Sequence, residues 1–337
     1  MEAVAEPATE LNDPTGEEED NSFPTDYSQL IPDNLPPNQQ VLVEFNEGYT
    51  TRSLVELLNS TTMDGNFVFT KDKIFYYESD ADGMVTLHVI IYQHELPYYY
   101  YNSPEPYITF GATLKNLRAA TQAIWKKDGV RFHIFKDDPN MYLQIISGGT
   151  KHLGQQNYYA ILFKKVNKKY SHFDPYIRPE TDPNCKIPLG EFYKMCMNIS
   201  RIGASIVSIF GYPKGIRFVA EAPNKIIRQN YKFGVCPNEH FVLSNQPAPP
   251  LQGLEQYLST LSISNNNHDI ATLTKNKNEL RCIIRGVVIK NLAKINNMAS
   301  AFSVIKIHME PDRPVRLTIH VGSYGICYIY LNSLPSC

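Results

Sequence analysis

The stretch Ile187-Pro-Leu-Gly-Glu-Phe-Tyr-Lys-Met-Cys-Met-Asn-Ile-Ser-Arg-Ile-Gly-Ala204 decides the fold. Phe192, Met195, Cys196 and Ile199 recur at i, i+3, i+4 and i+7, the spacing of a buried helix face. Lys194, Asn198 and Arg201 fall on the opposite face at i, i+4 and i+7. Pro188 suits a first helical turn and Gly203 a C-terminal stop. Two apolar runs follow, 206–210 and 216–220, separated by Gly211-Tyr-Pro-Lys-Gly215, which reads as a hairpin. An amphipathic helix with a basic outer face, followed at once by a hairpin, is the unit from which the chain is built.

That unit recurs. A helix expected over 51–62 puts Leu54, Leu57 and Leu58 on its apolar face, and a hairpin follows, 66–70 and 73–78, around Lys71-Asp72. These leucines map onto Phe192, Met195 and Cys196 at an offset of 138. A helix expected over 111–127 carries Leu114-Lys-Asn-Leu117, and another over 286–300 carries Ile289-Lys-Asn-Leu292, 175 positions later. Each precedes a strand, an acidic turn with proline, and a second strand. The first copy runs 130–135, Asp137-Asp-Pro139, 141–146; the second runs 303–309, Glu310-Pro-Asp-Arg-Pro314, 315–321.

The two offsets differ by 37, so the second half is expected to hold about that many extra residues. Their place is 234–277, where Pro237, Pro247, Pro249, Pro250 and Asn265-Asn-Asn267 punctuate a loop and 251–261 reads as a short helix. The chain thus reads as two similar domains, 41–166 and 187–337, joined by a linker over 167–186 in which Pro175, Pro179 and Pro183 disfavour regular structure. The fold class is α+β, each half carrying two helices on antiparallel β-sheets.

The 337 residues, 43% apolar, suffice for a sizeable core and about two domains. No apolar run approaches the ~20 residues of a membrane span, and the first residues lack a basic-then-apolar signal pattern. A soluble intracellular protein without membrane partners is expected. Cys185, Cys196, Cys236, Cys282, Cys327 and Cys337 form no C-x-x-C pair, which favours reduced, buried thiols over a disulfide framework or a zinc site. The net charge of −2 is uneven: residues 1–40 hold ten Asp or Glu and no Lys or Arg, and are read as a disordered acidic tail. The rest carries +8, which tolerates a polyanionic partner without specifying one.

This order of elements resembles the eukaryotic and archaeal DNA sliding clamps, the PCNA family, over about 41–335. Pro188-Leu-Gly-Glu-Phe192 through Ser200-Arg-Ile-Gly203 is similar to the family's P-x-G-E-F … S-x-I-G helix. Residues 289–307 are similar to the last channel helix and its strand, and Tyr328-Ile-Tyr-Leu331 resembles the closing strand. The resemblance implies a processivity factor that encircles double-stranded DNA as a homotrimer and tethers DNA polymerase, a clamp loader and other peptide-docking replication and repair proteins. It implies no catalysis and no cofactor. The divergence, the acidic leader and the insertion look like a clamp from a large DNA virus or a similarly distant lineage, placed in the nucleus or at a cytoplasmic viral replication site.

A sliding ring must hold phosphates without reading bases, so it needs Lys and Arg on a rigid inner surface. Lys115 and Arg118 lie on one helix face with Gln122, Lys194 and Arg201 on the next helix, Lys290 and Lys294 on the last. A single surface lysine is more often solvated charge; repetition on three helices is what makes these a candidate DNA surface. The first helix departs from the family's lysine-rich pattern, having only Arg52 beside Glu56, and Met197 and Asn297 stand where the family often has bases. Position in the clamp pattern assigns subunit pairing to the edge strands 157–165 and 225–233, with Tyr159, Ile161, Phe163, Ile227 and Tyr231. The partner-peptide pocket would use Tyr176, Ile177 and Pro179 of the linker with Tyr330 and Leu331, plus Leu334 and Pro335. Lys164, Lys165, Lys168, Lys169 and Arg178 give that linker region a basic character, unlike the family's acidic one.

Two other readings stay open. A clamp-fold scaffold or transcription factor need not form a ring. A hidden enzyme is the more distant one: Ser147-Gly-Gly-Thr-Lys151 lacks the P-loop pattern, and no zinc-protease, nucleophile-elbow or carboxylate–histidine motif is present.

Overall fold

The structure, a computed structural model, describes residues 35–146, 157–162, 164–165, 181–223, 227–236, 280–299 and 303–334. The linker residues before 181, the extra length of the second half after 236 and most of the acidic leader lie outside the described residues. Residues Asn38–Cys337 form one unit, separate from Met1–Pro37, and its first strand begins at Gln39, inside the stretch read as tail.

The first half runs β1 (Gln39–Phe45), α1 (Gly48–Thr61), β2 (Asp64–Thr70), β3 (Lys73–Ser79), β4 (Val85–Tyr92), β5 (Tyr98–Tyr101), β6 (Tyr107–Thr113), α2 (Leu114–Thr121), β7 (Gly129–Phe135), β8 (Asn140–Ile146), β9 (Asn157–Leu162) and β10 (Lys164–Lys165). The second runs β11 (Cys185–Pro188), α3 (Leu189–Arg201), β12 (Ile206–Tyr212), β13 (Gly215–Glu221), β14 (Arg228–Gly234), β15 (Leu280–Arg285), α4 (Gly286–Leu292), β16 (Val304–His308), β17 (Val315–Val321) and β18 (Gly325–Leu331).

The halves repeat strand for strand. In the first, β1-β7-β8-β9 and β6-β2-β3-β4 are the neighbour orders; in the second, β11-β16-β17-β18 and β15-β12-β13-β14. Additional strands β5 and β10 flank β1 and β6 in the first half. The turns repeat as well. Among the described residues, the non-glycine residues with positive φ are Asp137 and Asp312, 175 positions apart, one in each acidic-proline turn. Asp tolerates this left-handed conformation because its short side chain finds local backbone partners.

Local chemistry sets the element ends. In α3, Phe192, Met195, Cys196 and Ile199 are buried, Glu191 sits in the first turn and Arg201 in the last, where each complements the helix dipole. Gly203, at φ 64°, stops the helix as its sequence predicts. Two helices are shorter than the sequence suggests. Residues 111–113 continue strand β6, paired to β2, so α2 starts at Leu114 rather than Gly111. It ends at Thr121, because the following residues enter a turn held by tertiary hydrogen bonds. Beyond Leu292, α4 tightens into a 3-10 turn over Ala293–Asn297.

The halves meet through one continuous ladder. All seven residues of β18 pair antiparallel with β4, from Gly325 opposite Ile91 to Leu331 opposite Val85, fusing five strands of one half and four of the other into a nine-stranded sheet. Leu87, Val89, Ile91, Cys327, Ile329 and Leu331 are buried along it, and each such aliphatic side chain contributes about 1.5–3 kcal/mol. Tyr324, at the tip before β18, bolts the second half to the first. Its hydroxyl accepts the Glu47 N–H at 2.6 Å and donates to Asn46, and its ring meets Phe45 edge-on at 5.2 Å. Arg285 pairs with Asp82 at 2.5 Å across the same seam. Inside the first half, Glu44 and Arg131 form a buried ion pair at 2.6 Å between facing positions of β1 and β7.

The cysteines Cys196, Cys282 and Cys327 are core residues; burial pushes the Cys327 thiol up to about 12 and the Cys282 thiol to about 11. Among the described residues no helix is long and apolar enough to cross a membrane.

Gly325 is a close approach: a Cβ there would overlap the carbonyl of Ile90 across the ladder. Gly325→Ala should therefore destabilise the protein by about 3 kcal/mol, measured by denaturant unfolding, with the loss expressed at the junction between the halves. A change below about 0.5 kcal/mol would show that the ladder yields easily.

Candidate nucleic-acid interface

The ladder between the halves lays four helices side by side. α2 packs on α1, α1 on α4 and its 3-10 continuation, and these on α3. Within each half one helix starts where the other ends: the Leu114 N–H at the start of α2 donates to Met63 O just after α1, and the Gly286 N–H at the start of α4 donates to Ser205 O just after α3. Asn291 of α4 donates to Ser60 O of α1 at 3.0 Å, tying the helix pairs of the two halves together. Each helix buries its apolar face: Leu114 and Leu117 in α2, Phe192 and Ile199 in α3, Ile289 and Leu292 in α4. The opposite faces form one surface.

The expected cations stand on that surface. Lys115, Arg118, Lys194, Arg201 and Lys290 are exposed, and Lys294 is half-buried in the 3-10 turn. The structure brings three of them together. Burial lowers the Lys294 pKa, and the nearby Arg118 and Lys290 charges push it further down against the pull of Glu56. Lys294 therefore carries its charge at a cost that the Glu56 carboxylate only partly offsets. The remaining helix behaves differently. Arg52 of α1 pairs with Glu56 at 3.2 Å and donates to the carbonyls of Gln122 and Ile124, each at 3.2 Å, so its charge serves the end of α2.

The other predicted positions fare unevenly. Tyr330 and Leu331 are each about 1% exposed, so their side chains belong to the core and offer no docking surface, a correction to the sequence reading. The strand alternates, and both of its faces are covered where it crosses the middle of the nine-stranded sheet. What lies beside them is an open groove of about 560 Å³, lined by Leu280, Cys282, Met309, Pro311 and Pro314 among charged Arg281, Glu310, Asp312 and Arg313. In sequence, 310–314 reads only as a turn. Ser333 Oγ accepts the Ile283 N–H and the Leu334 N–H donates to Ile283 O, which holds the residues after the last strand along β15 at the edge of the groove. Tyr176, Ile177, Pro179 and Phe163 lie outside the described residues, and of Tyr159 only its place in β9 is described.

β9 and β14 each end a sheet among the described residues. Ile161 of β9 is buried in its own half, so what it presents outward is backbone. Ile227, just before β14, is 48% exposed, and Tyr231 is half-buried with its hydroxyl on Gln229 at 2.9 Å.

No family model matches the chain, and no curated protein matches it. Among solved structures it is similar to the proliferating cellular nuclear antigen from Entamoeba histolytica, with a TM-score of 0.61 and 12% identity, over 88% of this chain and 99% of that one. The chain therefore has a PCNA-like clamp fold, mixed α+β with antiparallel sheets. Nothing in these comparisons supports a viral source.

Lys294→Gln should raise stability at low salt by about 0.5 kcal/mol, the scale of one like-charge pair on a helix. A lysine whose folded-state pKa is lowered costs stability at pH values below that pKa, and the cost fades as pH rises through the ordinary lysine range. The gain should thus be largest at neutral pH and vanish at strongly alkaline pH, as read by a melting series. A variant less stable than the parent would assign Lys294 a structural role instead.

Proposed function

We propose that this protein is a DNA sliding clamp, a processivity factor whose copies join head to tail into a ring around double-stranded DNA. One observation carries the reading. In the strand-for-strand repeat, β14 is the counterpart of β4 and β9 the counterpart of β18, and β4 and β18 are the strands that pair between the halves. The same pairing, made by β14 of one copy and β9 of the next, yields a second nine-stranded sheet from the free five- and four-stranded ones. Such an interface is heterologous, and heterologous contacts close into rings when the rotation permits. It also removes exposed sheet edges, which are aggregation hazards. The likeness in fold to proliferating cellular nuclear antigen suggests three copies, six similar halves in all.

The helix layer then lines the channel. Its cations sit on rigid helices and supply phosphate contacts, the sequence-independent part of DNA binding. The groove by Met309–Pro314 suits a short peptide from a polymerase, a loader or another replication protein: an apolar floor for an anchor side chain and both signs of charge on its rim. The Arg313–Glu310 pair, at 3.5 Å, keeps part of that rim neutral.

Replacing Lys194, Arg201, Lys290 and Lys294 together with Ala should cut duplex retention and flatten its dependence on salt by about 0.9 log unit for each phosphate no longer neutralised. The measurement is dissociation from nicked circular DNA across a salt series. Unchanged retention and slope would leave the clamp fold in place and favour a scaffold that does not hold DNA through these helices.

A further inference from the structure

The turn after α2 is built as a rigid platform for an exposed aromatic side chain. Ile124 is fully buried, its N–H donating to Thr121 O at 3.2 Å and its carbonyl accepting from Arg52 at 3.2 Å. Asp128 closes the other end. Its carboxylate accepts the Trp125 N–H at 2.8 Å, its own N–H donates to Trp125 O at 3.1 Å, and its carbonyl accepts the Gly48 N–H at 2.8 Å. Gly48 permits this closeness, since a Cβ there would lie 2.5 Å from the Asp128 carbonyl. The backbone from 124 to 128 is thus clamped against the start of α1 at both ends. From it Trp125, the chain's single tryptophan, projects 78% exposed, and Lys126 and Lys127 beside it are exposed too.

An indole is seldom left this open, and fixing the turn that carries it lowers the entropy cost of a contact. The chemistry around it selects the partner. A flat π face followed by two exposed lysines suits an unpaired nucleobase and its adjoining phosphates. Bases inside an intact duplex are stacked on their neighbours and closed to an indole, so the fitting partner is a strand with unpaired bases. The surface leading to the turn agrees, for Lys115 and Arg118 are exposed on α2, whose last turn runs into it. A lipid surface fits less well: Lys126 and Lys127 replace the further apolar side chains that insertion needs, and exposed Met63 lies at the opposite end of α2, where its carbonyl receives the Leu114 N–H.

We propose that Trp125, Lys126 and Lys127 form a single-strand nucleic-acid contact in which the indole stacks on an unpaired base and the lysines hold the adjoining phosphates. The proposal extends the DNA-binding reading above but does not require a ring. It gives the clamp a place to touch an overhang or a frayed end, next to the helices that would hold the duplex.

The single tryptophan makes the test direct. Titrating the full-length protein with an oligothymidylate of about twenty nucleotides should quench its emission. Trp125→Ala should weaken binding of the labelled oligonucleotide about tenfold by anisotropy, and the Lys126→Ala, Lys127→Ala double variant should reduce the salt slope by about 1.4. Retention of Trp125→Ala on nicked circular duplex should match the parent. The proposal is overturned if the oligonucleotide neither quenches the emission nor loses affinity in Trp125→Ala. It is overturned equally if mixed phosphatidylserine–phosphatidylcholine vesicles quench and the oligonucleotide does not, which makes the turn a membrane contact. Loss of circular-duplex retention in the helix-cation variant, with quenching intact, bears on the channel alone.

Discussion

Every antiparallel sheet of finite width ends in a row of N–H and C=O groups that must find partners, and this molecule is organised by how its rows are satisfied. The ladder between β4 and β18 satisfies one pair of edges inside the chain. It is held by a glycine that lets two backbones meet and by a tyrosine whose hydroxyl works on the far side of the seam. Because the two halves have the same strand order, the solution found at this seam is available again at β9 and β14. The proposed assembly rests on this repetition, with a second copy presenting the complementary edge.

The seam also determines what the helices do. With β4 and β18 paired, α1 and α4 become neighbours, and the helices of both halves fall into one layer with their apolar faces inward. Their outer faces gather cations from α2, α3 and α4, close enough for Arg118 and Lys290 to disfavour charge on Lys294. α1 adds little to this surface because Arg52 is occupied by Glu56 and by carbonyls after α2. Positive charge spread thinly over rigid helices favours weak, non-specific phosphate contact, as the proposed clamp role requires.

Much of this was legible in the residues. The buried spacing of α3, its closing glycine, and the recurrence of Leu-Lys-Asn-Leu as Ile-Lys-Asn-Leu mark helix positions and the repeat, because these signals are local; Pro188 ends β11 just before α3 rather than entering its first turn. The paired turns at Asp137 and Asp312 agree with the repeat at the level of a backbone angle. What escaped was decided at long range. The ends of α2 depend on β2 at one side and on Arg52 and Asp128 at the other. Tyr330 and Leu331 follow a recognisable strand pattern, but only the position of that strand in mid-sheet shows that both faces are covered. The groove joins 280–282, 309–314 and 332–333, three segments with no common sequence signal. Trp125 carries no signal in the sequence, because one aromatic residue before two lysines has no period to betray it; its exposure is a tertiary fact.

The most direct test of the account is the mass of the full-length protein in solution at micromolar concentration, by size-exclusion chromatography with light scattering. Pairing of β14 with β9 in a closed ring predicts about three times the chain mass of 38.4 kDa. A particle of one chain mass would contradict it.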